Sequence, residues 1–235
     1  MVGRGFCAGK LRSHAPRPVS ACRTADTISS DDELQDKAAR MKDLSISLLT
    51  ICGLTELEQH GSRGVTHVLS ILDPDRADPD DFASYDRHHR TTLRFHDIIR
   101  PMGSMVLPEA KDVEAVLQFG EELSAEPTVG ADAHLLVHCH MGVSRSTAAM
   151  TTLLCQLHPE ADEDEVLAHL RSIRPQIWPN SRMIGFADAA LGKEGRLTKA
   201  LARLYAQQLE WKPEIASFME NYGREAEVEM GRRAA

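Results

Sequence analysis

The stretch Val137-His138-Cys139-His140-Met141-Gly142-Val143-Ser144-Arg145-Ser146-Thr147 constrains this chain more than any other. Upstream of it, His134-Leu135-Leu136-Val137 is a short apolar run of the kind that forms a buried strand. Downstream, residues Ser146 to Leu157 are rich in Ala, Leu and Thr and read as a helix. The stretch between them is therefore a tight strand-to-helix turn. At such a turn successive backbone N–H groups can converge on one anion, and the helix N-terminus adds partial positive charge. The α/β class follows: strands alternate with helices along the chain, which implies a mainly parallel central sheet flanked by helices, with the site at the carboxyl end of a strand.

Each residue type in the turn has a chemical reason. A free thiol is a poor nucleophile at neutral pH, but beside a helix N-terminus and a guanidinium Cys139 can ionise to a thiolate. Arg145 can hold two oxygens of one phosphate with its planar fork, which a lysine cannot do. Gly142 allows the sharp turn and the close approach of backbone to anion. Ser146 can donate its hydroxyl hydrogen to the sulfur. His140, Met141, Gly142, Val143 and Ser144 contribute the backbone N–H cradle. A metal site at His138, Cys139 and His140 is not indicated, because neighbours on a strand alternate faces and no spaced second pair of ligands is present.

The turn resembles the signature loop of the cysteine-based protein tyrosine phosphatase superfamily. In its H-C-x-x-G-x-x-R-S form it is most similar to the dual-specificity branch. A second segment, Ile173-Arg174-Pro175-Gln176-Ile177-Trp178-Pro179-Asn180, resembles that branch's R-P-x-I-x-P-N element. The resemblance extends over roughly residues 41–191. It implies a protein tyrosine phosphatase-like fold and hydrolysis of phosphomonoesters through a cysteinyl-phosphate intermediate, with no metal and no cofactor. It also implies that His138 and Asn180 support the loop. Where the family often continues with an aromatic residue and later a Gln, Met183 and Phe186 stand here. No Lys-Asn-Arg-Tyr element deepens the pocket, so a shallow site is expected. That site would accept phosphotyrosine and also phosphoserine or phosphothreonine. The loop carries no Lys and no second Arg, which disfavours a polyanionic inositol lipid. A phosphate-binding module without turnover, docking phosphorylated partners, is the alternative.

A member of this family also needs a general acid on a separate loop. Residues Thr91 to Ile98 read as a strand, with Leu93, Phe95 and Asp97 on one face and a Pro/Gly segment, Arg100 to Ser104, after it. Asp97 is the candidate acid. Asp73, at another strand end before Pro74, competes with it. Asp112 fits better as a solvated residue in the first turns of the next helix.

Composition bounds what remains. With 235 residues, 42% hydrophobic and 26% charged, the chain suits one globular domain with terminal additions. A net charge of −8 argues against a nucleic-acid partner. The five cysteines, an odd number without close spacing, point to a reducing compartment and hence the cytoplasm. No run has the length of a membrane helix. Residues 1–40 read as an unpacked extension, 41–210 as the phosphatase domain and 211–235 as a partly helical tail. Within the domain the pattern predicts strands over Leu44–Cys52, Val65–Leu72 and 91–98. A short helix from Thr55 to Gln59 is expected to be capped by Thr55 and Glu58. Pro108 opens a helix bearing Val113, Val116, Leu117, Gly120 and Leu123. Asp162 or Asp164 caps another, bearing Val166, Leu167, Leu170 and Ile173. Residues 194–209 form the last, with Leu197, Leu201, Leu204, Tyr205 and Leu209 at helical spacing.

Overall fold

The computed structural model describes residues 48–125 and 133–235. The expected extension 1–40 and the first residues of the expected opening strand lie outside them. Four strands form one sheet: β1 (Leu48–Cys52), β2 (His67–Leu72), β3 (His89–Arg94) and β4 (His134–His138). Their order is β1-β4-β2-β3 and every pair is parallel. The expected parallel α/β architecture is therefore present. Seven α-helices follow among the described residues: α1 (Ala110–Ala125), α2 (Arg145–Leu157), α3 (Glu163–Ile173), α4 (Ser181–Ala190), α5 (Arg196–Trp211), α6 (Ile215–Asn221) and α7 (Glu225–Ala234).

The strand that delivers the turn is central, and all five of its residues are buried. Its side chains alternate between two faces, as a pleated strand requires. Leu135 and Val137 join the main core with Leu69 and Ile71 of β2 and with Phe119, Met150, Leu153 and Trp178 from the helical side. Leu136 points the other way, into a smaller cluster with Cys52, Val68, Leu57 and Phe82. That second face is covered by short 3-10 turns at Leu54–Glu56, Glu58–His60 and Asp80–Ser84.

Several local expectations are corrected. β3 begins at His89 and ends at Arg94, so Asp97 lies past the strand rather than at its end. Phe95 still donates its N–H to Leu72 O at 3.0 Å, and the chain then leaves the sheet. The Thr55/Glu58 capping box does not form. Gly53 leads into the turn, and Glu56 accepts its N–H at 2.5 Å. The register shifts because Glu56 is also held by Arg174, at 2.9 Å. In α1 Phe119 is buried beside Val113, Val116, Gly120 and Leu123, whereas Leu117 is half-buried. Ile173, at the end of α3, is exposed. Asp162 is the α3 cap, accepting from the N–H groups of Asp164 and Glu165.

The residues beyond Trp211 pack on the same core. Val228 and Gly231 of α7 are buried. A Cβ at Gly231 would stand 2.9 Å from Tyr205, so this glycine lets α7 lie directly on α5. Residues 174–180 have no regular structure yet run through the interior, so their polar groups need side-chain partners. Gln208 donates to Pro175 O and Ile177 O at 2.8 and 2.7 Å, Tyr205 donates to Pro179 O, and Trp178 Nε1 donates to Glu227 at 2.7 Å. Trp178 also stacks on Tyr205 with ring centres 4.2 Å apart.

Candidate active site

The turn after β4 is pinned from outside by its carbonyl groups. Leu54 N–H donates to His140 O at 3.0 Å and Arg174 Nη2 to Met141 O at 2.9 Å. Trp178 N–H donates to Val143 O at 2.8 Å and Asn180 N–H to Ser144 O at 3.4 Å. In a trans peptide the carbonyl and the following N–H point opposite ways. With these four carbonyls turned toward the scaffold, the N–H groups of Met141, Gly142, Ser144 and Arg145 are turned toward the inside of the loop. The loop is thus held in a form that could receive an anion, by donors from the turn after β1 and from the 174–180 segment.

Gly142 is required twice over. Its φ is +67°, and a Cβ there would lie 2.4 Å from the Cys52 carbonyl carbon and 2.7 Å from Gly53 N. The obstacle is backbone, which cannot swing aside. Gly142→Ala should cost at least the ~1–2 kcal/mol of a left-handed non-glycine residue. Because the loop must shift, it should also reduce kcat/KM on the order of 10²-fold. Thermal melting and steady-state kinetics would read both.

Inside the loop, Cys139 is buried with Sγ 3.2 Å from Ser146 Oγ. Arg145 opens α2 and is buried. Its Nη1 donates to Asp73 Oδ1 and to Phe95 O, both at 2.6 Å, while its Nε is buried without a partner. His138 is buried behind the cysteine, with Nε2 2.7 Å from Ser70 Oγ. Burial, aided by the Arg90 charge, pushes this imidazole down to about 4, so it is neutral at physiological pH. The uncharged ring thus ties β4 to Ser70 of β2. Cys52 stands in β1 directly opposite His138, one residue before Cys139. Burial, with the Glu56 charge, pushes its thiol up to about 12. A thiol so rarely ionised is a poor partner for exchange with Cys139.

Both candidate acids reach the site. Asp73 meets Arg145, as above, and Asp97 meets the loop itself. Asp97 Oδ1 accepts from Ser144 Oγ at 2.8 Å, from Asn180 Nδ2 at 2.9 Å and from Arg224 Nη1 at 3.1 Å. Burial pushes the Asp97 carboxyl up, but Arg224 and Arg145 together with the two hydrogen bonds outweigh it and hold it below its ordinary value. Asp112 is elsewhere: its carboxylate accepts Glu109 N–H at 2.7 Å, near the start of α1. Asn180 does more than expected. Its backbone N–H holds the loop, its Oδ1 caps α4, and its Nδ2 holds Asp97.

Four residues that the sequence reading leaves without a role are part of this arrangement. Arg224, just before α7, donates to Ser144 Oγ at 2.6 Å as well as to Asp97. Glu227 is its buried counter-charge at 2.7 Å and also takes Ser181 N–H at 2.8 Å. Arg174 and Glu56 tie the turn after β1 to the loop. Burial opposes ionisation of Glu56, but Arg174 and the Gly53 N–H overcome it and lower its carboxyl. The stability this adds is present above the ordinary carboxylate value and fades as pH falls through the lowered one. Glu56→Gln should therefore cost stability at neutral pH and little in acid, as pH-dependent denaturant melts would show.

Above these groups lies a cavity of about 510 Å³ lined by Asp73, Asp97, Cys139, Arg145 and Arg224 at one end and by apolar side chains at the other. The apolar wall comes from α6 and the residue that follows it, with the rings of Phe218 and Tyr222 4.7 Å apart between centres. Met105 and Met141 also line the cavity. Ile215, Phe218 and Met219 of α6 thus line the pocket, a contribution that the motifs do not foretell.

No protein-family model matches the chain, and no curated protein matches it. Solved structures are similar in arrangement at low identity. Human DUSP28 is 16% identical, with 62% of this chain and 94% of that one covered and a TM-score of 0.45. The Yvh1 phosphatase domain from Chaetomium thermophilum is 20% identical, with 63% and 93% covered and a TM-score of 0.43. The human tyrosine phosphatase-like serine/threonine/tyrosine-interacting protein is 16% identical, with 64% and 95% covered and a TM-score of 0.45.

Proposed function

We propose that this chain is a cysteine-dependent phosphatase of the dual-specificity type, hydrolysing phosphomonoesters through a cysteinyl-phosphate on Cys139. The observation that carries the reading is the conjunction at one loop: Cys139 Sγ beside Ser146 Oγ, a buried Arg145 in the first helical turn, and four carbonyls bound outward. A phosphate seated in the cradle draws Arg145 from Asp73, and the uncommitted Nε supplies a further donor. The Cys139 thiolate attacks phosphorus as the ester P–O bond breaks, and Asp97 gives its proton to the departing oxygen. Water then attacks the thiophosphate, its proton passing back to Asp97. Phosphate is released and the thiolate, accepting a hydrogen bond from Ser146, leaves. His138 and Asn180 keep the loop in place throughout.

The substrates of this reading are phosphorylated proteins, phosphotyrosine foremost because a ring fits beside Phe218 and Tyr222, with phosphoserine and phosphothreonine within reach. Three described cysteines are free, in keeping with a cytoplasmic setting. No helix among the described residues is long and apolar enough to cross a membrane.

A phosphate-binding module without turnover is the second reading. One observation favours it: an Asp97 held ionised by Arg224 has no proton to give. Hydrolysis of p-nitrophenyl phosphate by the full chain in the presence of a chelator separates the two. Turnover at about 1 s⁻¹ or more, within the ordinary enzymic range, is expected. Saturable phosphate binding with no turnover would establish the binding module instead.

A further inference from the structure

We propose that Arg224 is a positioning residue for the acid, anchoring Asp97 by Oδ1 and tying it to Ser144 of the phosphate loop. The inference rests on the reading of Asp97 as general acid. Its basis is geometric. Ser144, Asn180 and Arg224 all donate to the same carboxylate oxygen, Oδ1. With that oxygen occupied by three donors, a proton on Asp97 sits on Oδ2. The side chain is 30% exposed and lines the cavity, so Oδ2 is the oxygen left to face a leaving group.

Arg224 is itself fixed. It is buried, and its Nη2 lies 2.8 and 2.7 Å from the two oxygens of buried Glu227. Nη1 then bridges Asp97 and Ser144. A C-terminal element thereby clamps the acid to the loop that holds the nucleophile, so that the two reacting groups keep one spacing. The clamp has a cost in protonation. Arg224 and Arg145 are the cations facing Asp97, Ser144 and Asn180 its neutral donors, and Glu227, Asp73 and Tyr205 the groups behind those cations. The balance favours the carboxylate. A substrate phosphate brings negative charge beside both arginines and shifts the balance back toward the protonated acid.

The test compares pH profiles of kcat/KM and kcat for an alkyl phosphate and for p-nitrophenyl phosphate. A single Arg224→Gln change would strand a buried Glu227 charge. The main variant is therefore Arg224→Gln with Glu227→Gln, its folding checked by thermal melting. For the alkyl phosphate its basic limb should move to higher pH, because the cation favouring ionised Asp97 is gone. Its plateau kcat should fall about 10–100-fold, because the acid is no longer aligned. The aryl phosphate should lose about threefold or less, since its leaving group scarcely needs a proton. Arg224→Lys keeps the charge and should leave the limb where it is. Glu227→Gln alone, which strengthens the hold of Arg224 on Asp97, should move the limb to lower pH, and it decides the matter if the double variant does not fold. Equal losses for both esters with an unmoved limb in every variant would overturn the proposal. Asp97→Asn runs in parallel. If it shows no leaving-group dependence, the acid assignment itself fails. If it shows that dependence and the Arg224 and Glu227 variants show no shift, only the positioning role fails.

Discussion

Replacing Cys139 by Ser is expected to reduce turnover below about one part in 10⁴, while affinity for inorganic phosphate or tungstate stays within about threefold. The substitution exchanges one atom in a buried position 3.2 Å from Ser146. The hydroxyl that results stays protonated near neutral pH and cannot attack phosphorus at a useful rate. The cradle does not depend on the sulfur. Its carbonyls are held by Leu54, Arg174, Trp178 and Asn180, and Arg145 remains in the first turn of α2. Calorimetric titration with the oxyanion, beside p-nitrophenyl phosphate kinetics, measures both. Substantial activity in the Ser variant would remove Cys139 from the reaction, and lost oxyanion affinity would show that the sulfur shapes the cradle.

The second large effect is expected at Asp97. Asp97→Asn should slow kcat for an alkyl phosphate by about 10²–10⁴-fold, the range for loss of a general acid, and do much less for an aryl phosphate. The basic limb of the pH profile should flatten, since it reports loss of the Asp97 proton. The acidic limb, set by thiolate formation and substrate ionisation, should persist. Asp73→Asn is the control. Asp73 meets Arg145 at 2.6 Å, so its neutralisation should alter phosphate affinity without making the rate depend on the leaving group. A leaving-group-dependent loss at Asp73 with none at Asp97 would move the acid role to Asp73.

The turn was readable from residues 137–147 because its chemistry is local. Thiol, guanidinium and glycine sit within one strand-to-helix connection, and their spacing dictates their geometry. The central strand and α2 were readable for the same reason, as an apolar run and a helical composition on either side. Asp97 is singled out by a strand-then-loop pattern, although the strand stops at Arg94 and the carboxylate meets the turn from beyond it. What sequence could not show is what comes from afar. Arg224 meets Ser144 from 80 positions away, and nothing in Gly223-Arg224-Glu225 marks it. The signal for Glu227 is equally faint: an acid in an otherwise charged helix reads as solvated, yet it is buried by Trp178 and Arg224. The aromatic wall of α6 belongs to a seven-residue helix, too short for its periodicity to announce a face. The capping box is expected at Thr55 and Glu58 because they satisfy the local rule, whereas it forms at Gly53 and Glu56, where the tertiary partner Arg174 holds the carboxylate.

The most direct measurement is to trap the phosphoenzyme. The full chain is mixed with an aryl phosphate, quenched in acid within the first turnover, digested and mass-analysed. One phosphoryl group on the Cys139 peptide is expected, absent from Cys139→Ser and accumulating when water attack is slow. Active enzyme that carries no phosphoryl group, or carries it on another residue, would contradict the account.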